Sequence, residues 1–248
     1  MYQFIVISIS DERKQKIIEQ FNDYNMTPPI FLENPSTIHN SESYFPENTT
    51  LSDKKVMCCA RSHLRALELA SNDESPEFTI ILEDDVAFHK TKFLDGIKEI
   101  INNWDNIPHD MVSIGWVPCN KYENYTNSKP FYKCNTISDV TILNDRYVIG
   151  LQAYIVKKDD MKKYSTVFGH TSFDNLEKVL RSFNNKYIED CIPIDAYLNK
   201  ILKACFVFPP LVIEQDVLST IGSYNQQRRY WINFYKGVEH YIKDYWSF

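Results

Sequence analysis

The sequence predicts an α/β fold, a single domain over residues 1–248 in which a mostly parallel mixed sheet is flanked by helices. Three observations carry that expectation. The run Phe78-Thr79-Ile80-Ile81-Leu82 has no in-and-out alternation, the mark of a strand covered on both faces. Segments of strand character alternate along the chain with segments whose apolar residues recur at helical spacing. The chain has 248 residues, 44% hydrophobic and 24% charged, which is enough to bury one substantial core.

Taken in order, Phe4 to Ser8 is a short apolar run that opens the sheet. Ser10-Asp11-Glu12 suits a helix start, because a hydroxyl can accept from unpaired first-turn N–H groups and acids oppose the helix dipole there. Ile17, Ile18 and Phe21 then follow at helical spacing. Pro28 to Leu32 is a second strand, and Asn34 to Thr50, polar and without pattern, is a surface loop. Ser52 is placed to cap a helix from about Asp53 to Leu69, with Val56, Cys59, Ala60, Leu64, Leu67 and Ala70 on one stripe. Arg61, His63 and Arg65 fall on its polar side.

After the central strand come Glu83-Asp84-Asp85 and a helix from about Thr91 to Trp104. Met111 to Gly115 is a short strand, Trp116 to Cys134 a polar loop, and Tyr147 to Val156 a strand-forming run through Gly150. Helices are expected at Lys158 to Tyr164, Asn175 to Phe183 and Pro193 to Lys203, and a last strand at Cys205 to Phe208 before Pro209-Pro210. Residues 226–248 form an aromatic and basic helical segment. Its rings suit packing on the domain's own core, stacking on sugars, or peripheral contact with a membrane surface. No repeat or linker interrupts the chain.

Composition narrows the function. Lys and Arg total 27 against 33 acids, a formal net charge of -6, so no global basic field draws nucleic acid and no nucleic-acid partner is expected. Only 6 glycines are present, and neither glycine-rich phosphate-loop pattern, Rossmann or Walker, occurs. The 6 cysteines show no CxxC or Cys/His zinc spacing, and ordinary buried thiols are expected rather than a structural zinc or disulfides. No stretch approaches the roughly 20 apolar residues of a membrane span. The opening Met1 to Ile7 reads as a strand and not as a leader, which implies a cytoplasmic protein.

Ligands of open α/β sheets bind beyond the carboxyl ends of strands, and an acidic cluster there is costly without neutralisation. Glu83, Asp84 and Asp85 therefore suit a divalent cation, Mn²⁺ or Mg²⁺, with the phosphates of a nucleotide completing its shell. The competing reading is that these acids cap the next helix or face water. Alternation in an extended segment puts Glu83 and Asp85 on one side as ligands and turns Asp84 toward a ribose or a backbone amide. A further ligand, Gln215, lies in the late Glu214-Gln215-Asp216 segment, which reads equally as a solvent-facing turn.

Taken together, Leu51-Ser52, Cys59-Ala60-Arg61-Ser62-His63-Leu64-Arg65-Ala66 and Ile80-Ile81-Leu82-Glu83-Asp84-Asp85-Val86 resemble the signature blocks of glycosyltransferase family 25, in both order and spacing. This family includes the lipopolysaccharide-type and collagen β-galactosyltransferases. Later stretches are similar too: His109 to Gly115, Tyr147 to Lys157, Ile192 to Leu198 and Phe208 to Gln215. The resemblance implies a GT-A fold, a Rossmann-like α/β domain, with a UDP-sugar donor and a divalent metal at the acidic motif. It further implies inverting transfer of a hexose, galactose or glucose, to a glycan or glycoprotein acceptor. Ser8, Ser10 and Arg13 near the first strand, with Ser62, His63 and Asp84, are the residues it implies for the donor. The chain has Lys55, Val56 and Cys58 where the family usually places glycines and an acid, and Ser8-Ile9 for its usual Asn-Leu.

Each role has a competitor. His63 reaches the donor, braces the carboxylates, or is a packing histidine. Arg61 and Arg65 meet phosphate or are solvated helix charges. A metal-dependent phosphohydrolase and an inactive sugar- or partner-binding module are the alternative functions; only the transferase accounts for the full set of spaced blocks. The base that takes the acceptor proton is assigned to Asp195, in Ile192-Pro193-Ile194-Asp195, on the first turn of a helix begun near Pro193, with Glu189 and Asp190 as substitutes. Asp195→Asn is expected to keep nucleotide affinity in calorimetry while transfer falls roughly 10²- to 10⁴-fold. Near-normal transfer with a lowered melting temperature would assign this carboxylate to the helix dipole.

Overall fold

The structure, a computed structural model, describes residues 1–33, 35–41, 43, 45, 50–118, 132–137, 140–144, 148–165, 198, 201–208 and 210–214. In chain order its elements are β1 (Tyr2–Ile7), α1 (Asp11–Asp23), β2 (Ile30–Phe31), α2 (Ile38–Ser41), α3 (Leu51–Ser71), β3 (Phe78–Glu83), β4 (Val86–Phe88) and α4 (Phe93–Asn102). A 3₁₀ turn (Trp104–Asn106) follows, then β5 (Met111–Pro118), β6 (Tyr132–Ile137), β7 (Val140–Asn144), β8 (Val148–Lys157), α5 (Lys158–Lys162), β9 (Cys205–Phe208) and β10 (Val212–Glu214). The chain divides into two compact units, one of residues 1–84 with 156–201, the other of 85–155 with 202–248. The helices expected at Asn175–Phe183 and across most of Pro193–Lys203, and the segment 226–248, lie outside the described residues.

The first unit is built on parallel pairing. β1 is paired on one side with β2, through Ile5 opposite Ile30, and on the other with β3, from Tyr2 opposite Phe78 to Ile7 opposite Glu83. Phe4, Ile5 and Val6 on β1 and Phe78, Ile80, Ile81 and Leu82 on β3 are all buried, as expected of interior strands. The helices add Ile17 and Phe21 from α1 and Ala60, Leu64, Leu67 and Ala70 from α3 to the core. Phe21 meets Phe4 edge to face at 5.0 Å between ring centres, a favoured aromatic geometry. α5 follows β8 and is tied to the turn ahead of β3: the Lys158 N–H donates to the Glu77 carbonyl at 2.8 Å and its ammonium to that of Ser75 at 2.8 Å.

At and before α3 the structure differs from expectation in two ways. α3 begins at Leu51, with the Lys54 N–H donating to the Thr50 carbonyl at 3.0 Å, so Ser52 lies within the first turn and not at the cap. The segment Asn34 to Thr50, read as loop, carries the single-turn helix α2, closed by Thr37 and Asn40, whose side chains each accept the other's backbone N–H.

The second unit is mixed. β10 runs antiparallel to β4 and parallel to β5; β5 pairs in parallel with β9, β9 antiparallel with β7, and β7 antiparallel with β6. β4 and β10 escape sequence reading because three residues each are too few to show a period. β5 outruns its expected end at Gly115 because Trp116 is fully buried and its indole N–H donates to the Val207 carbonyl at 2.8 Å. The predicted loop after it is shortened from the other side by β6, which starts at Tyr132. α4 begins at Phe93, later than Thr91; in the turn ahead of it the Thr91 and Lys92 N–H groups donate to Nδ1 of buried His89 at 3.4 and 3.3 Å, and the Phe93 N–H donates to the His89 carbonyl at 3.3 Å.

Glycine is needed on β5. A Cβ at Gly115 would lie 3.0 Å from the Cβ atoms of both Ala153 and Val212 and 3.2 Å from the Ala153 nitrogen, none of which can rotate away. Gly115→Ala is therefore expected to cost about 1–3 kcal/mol by overpacking. The measurement is urea denaturation, with a lowered midpoint at unchanged slope; an unaltered midpoint would show that the strands part without cost.

Candidate functional site

β3 delivers its last residue, Glu83, to the carboxyl end of the first unit's sheet, and the chain turns there through Asp84 and Asp85 before β4. This turn corrects one expectation. The strand ends at Glu83, so strand alternation does not extend to Asp85, and the argument that placed Glu83 and Asp85 on a common side loses its basis. Each acid has its own surroundings.

Asp84, 7% exposed, is held by the N-terminal elements. Because Ile7 is paired with Glu83, the residue following β1 comes alongside the residue following β3, and the Ser8 hydroxyl donates to Asp84 Oδ2 at 2.6 Å. Arg13, on the first turn of α1, donates from Nη1 to Asp84 Oδ1 at 3.0 Å. Ser10 caps that helix, its Oγ accepting from the Arg13 N–H at 3.5 Å, and so fixes the turn from which Arg13 reaches. Burial of a carboxylate is costly, and a charged donor with a hydroxyl offsets that cost. Ser8, Ser10, Arg13 and Asp84, all assigned to the donor from sequence, are thus brought together; Asp84 faces a hydroxyl and a guanidinium, not a backbone amide.

Glu83, 26% exposed on its side chain, faces α3. His63, 1% exposed, places Nε2 at 3.2 Å from Glu83 Oε1, and the Cys59 thiol lies 3.9 Å from the same oxygen. Cys59 and His63 are four residues apart, the spacing that stacks side chains on one helix face. Ser62, the next residue round the helix, looks elsewhere: its buried hydroxyl accepts from the Ser36 N–H at 2.9 Å and donates to the Cys58 carbonyl at 2.9 Å. Ser62 therefore anchors the segment before α2. Asp85 is 9% exposed.

Among the described residues, one group of three His, Cys, Asp or Glu side chains has its ligand atoms all within 4.8 Å of one another: Cys59, His63 and Glu83. From sequence Cys59 belongs to the packing stripe and to the family block that runs to Ala66, with no ligand role assigned to it. The signal was its spacing to His63, but no local pattern points from there to Glu83. Asp195 and Gln215, with Glu189 and Asp190, lie outside the described residues.

Two of the blocks seen in the sequence, Cys59 to Ala66 and Ile80 to Val86, supply residues of this site, and the model of glycosyltransferase family 25 (LPS biosynthesis protein) matches residues 1–175. The chain belongs to glycosyltransferase family 25. It is accordingly a glycosyltransferase, an enzyme that moves a sugar from a donor to an acceptor.

No curated protein matches the chain. Among solved structures, A197 from STIV is similar at 15% identity, covering 83% of this chain and 80% of that one with a TM-score of 0.38. A glycosyltransferase involved in the glycosylation of the major capsid of PBCV-1 is 14% identical over 92% and 98% of the two chains, with a TM-score of 0.39. The galactosyltransferase LgtC, in complex with donor and acceptor sugar analogs, is 10% identical over 98% and 95%, with a TM-score of 0.40. Among the described residues of the family 25 chain, no helix is long and apolar enough to cross a membrane.

The Asp84 contacts make a prediction about stability. Asp84→Ala leaves Arg13 facing a site built for a carboxylate, and the expected loss lies at the lower end of the roughly 3–5 kcal/mol for breaking a buried pair. The lower end applies because the Arg13 side chain keeps 16% exposure. Asp84→Asn, which still accepts from Ser8, should lose less. Equal unfolding midpoints for the two variants would show that charge, not hydrogen bonding, dominates.

Proposed function

We propose that this family 25 enzyme transfers galactose or glucose from a UDP-sugar to a hydroxyl of a glycan or glycoprotein, with inversion at the anomeric carbon. The reading includes a divalent cation, Mn²⁺ or Mg²⁺, on the donor diphosphate. The observation that carries it is the placement of the acidic motif: Glu83, Asp84 and Asp85 stand at the carboxyl end of a buried parallel strand, with both aspartates under a tenth exposed. The chain passes between its two units three times, which supports treating 1–248 as one transferase domain.

The chemistry of the acids sorts their roles. Mn²⁺ and Mg²⁺ prefer oxygen ligands, and the buried Asp85 carboxylate is the leading candidate to hold such an ion, with Gln215 as the further ligand proposed from sequence. Asp84 is committed to Arg13 and Ser8 and is withheld from the ion. Its part in the reading is to set Arg13, which retains some exposure, at the donor's end of the first unit's sheet. The cation, when bound, neutralises charge on the leaving diphosphate. Asp195 takes the proton of the acceptor hydroxyl as that oxygen bonds to the anomeric carbon and the bond to the diphosphate breaks. The mixed sulfur, nitrogen and oxygen surroundings of Glu83 suit a hard cation less well.

Calorimetry of UDP binding with and without Mn²⁺ tests the reading. Wild-type protein is expected to bind more tightly with the ion. Asp85→Asn, chosen because it preserves the shape of a buried side chain, should lose that gain with little change in thermal melting. Equal affinity with and without Mn²⁺ in the wild type would remove the cation. A screen of UDP-sugars, reading the anomeric configuration of the product by NMR, tests donor and stereochemistry.

A further inference from the structure

We propose that Cys59, His63 and Glu83 form a binding site for a borderline-soft divalent cation of the zinc type. The inference is separate from the donor cation discussed above and does not rest on it. Zinc is held by thiolate, imidazole and carboxylate, and bonds of about 2.0 Å to nitrogen and oxygen and about 2.3 Å to sulfur set tetrahedral ligand atoms roughly 3.3–3.6 Å apart. Here His63 Nε2 lies 3.2 Å and Cys59 Sγ 3.9 Å from Glu83 Oε1, with all three ligand atoms within 4.8 Å. Small side-chain rotations close the rest.

The backbone around the group is already fixed. Cys59 and His63 lie on α3 at the four-residue spacing that puts two ligands on one helix face, while Glu83 is held by the ladder between β1 and β3. His63 is fully buried, so its ring is pre-positioned, whereas Cys59 is half-buried and Glu83 about a quarter exposed, which leaves an approach for an ion and a position for water as fourth ligand. A thiolate and an imidazole in the donor set select zinc over the harder manganese or magnesium. Binding releases the Cys59 thiol proton and ties α3 to the end of β3, beside the Asp84 that joins β3 to β1 and α1.

Cobalt(II) is the probe, because its thiolate complexes give a sulfur-to-metal charge-transfer band in the near ultraviolet and its geometry follows that of zinc. Full-length protein titrated with cobalt(II) is expected to develop this band with one equivalent, to lose it when zinc(II) is added, and to keep it in excess manganese(II). Cys59→Ser, a small change at a half-buried position, should abolish the band, and Glu83→Gln should weaken cobalt binding. Absence of the band in the wild-type protein overturns the proposal, leaving the three side chains as a hydrogen-bonded brace of Glu83. Persistence of the band in Cys59→Ser overturns it as well, by assigning the metal to another thiol. Neither result bears on manganese-dependent UDP binding, so the two readings fail separately.

Discussion

The parallel ladder between β1 and β3 is the constraint from which the site follows. Its register, Ile7 against Glu83, carries Ser8 to Asp84 across a sequence separation of 76 residues. A buried carboxylate needs partners, and the ladder delivers one while α1, capped by Ser10 directly after the strand, delivers the other as Arg13. One acid thus joins the first strand, the first helix and the turn after β3. A one-residue slip would exchange the faces on which Ile5, Ile81 and their neighbours pack and break their fit to the core, so the same hydrophobic packing that holds the sheet also holds the acidic motif.

The second organising element is α3, and its geometry divides a short family motif between different tasks. Along Cys59-Ala60-Arg61-Ser62-His63, the first and last residues share a face and meet Glu83, while Ser62 anchors the chain before α2 through Ser36. Ala60, Leu64 and Leu67 supply the apolar stripe that packs the helix down. Glu83 is consequently set in a sulfur and nitrogen environment, Asp84 in one of hydroxyl and guanidinium, and Asp85 begins the second unit of the chain. Glu83 and Asp84, adjacent in sequence, thus have different chemical surroundings.

Local pattern was sufficient wherever the physics is local. The strands at Tyr2–Ile7, Phe78–Glu83 and Cys205–Phe208 were legible as apolar runs, α1 from Ser10 and its spaced Ile17 and Phe21, and α3 from its stripe. The family was legible too, because its blocks are strings of residue types at set spacing, and their match needs no coordinates. Three-residue strands such as β4 and β10 were not, since they exist only through pairing, β4 with β10 and β10 also with β5.

The partners of the acids were equally out of reach of pattern. Alternation assigned Glu83 and Asp85 to one side, but the strand stops at Glu83 and the rule stops with it. That Asp84 would meet Ser8 and Arg13, and Glu83 would meet His63 and Cys59, depends on strand register and helix packing between segments 20 to 76 residues apart. Composition and spacing encode which chemical groups are available and on which element each rides; burial against distant chain settles which of them touch, because only packing makes an unpaired carboxylate costly enough to demand a partner.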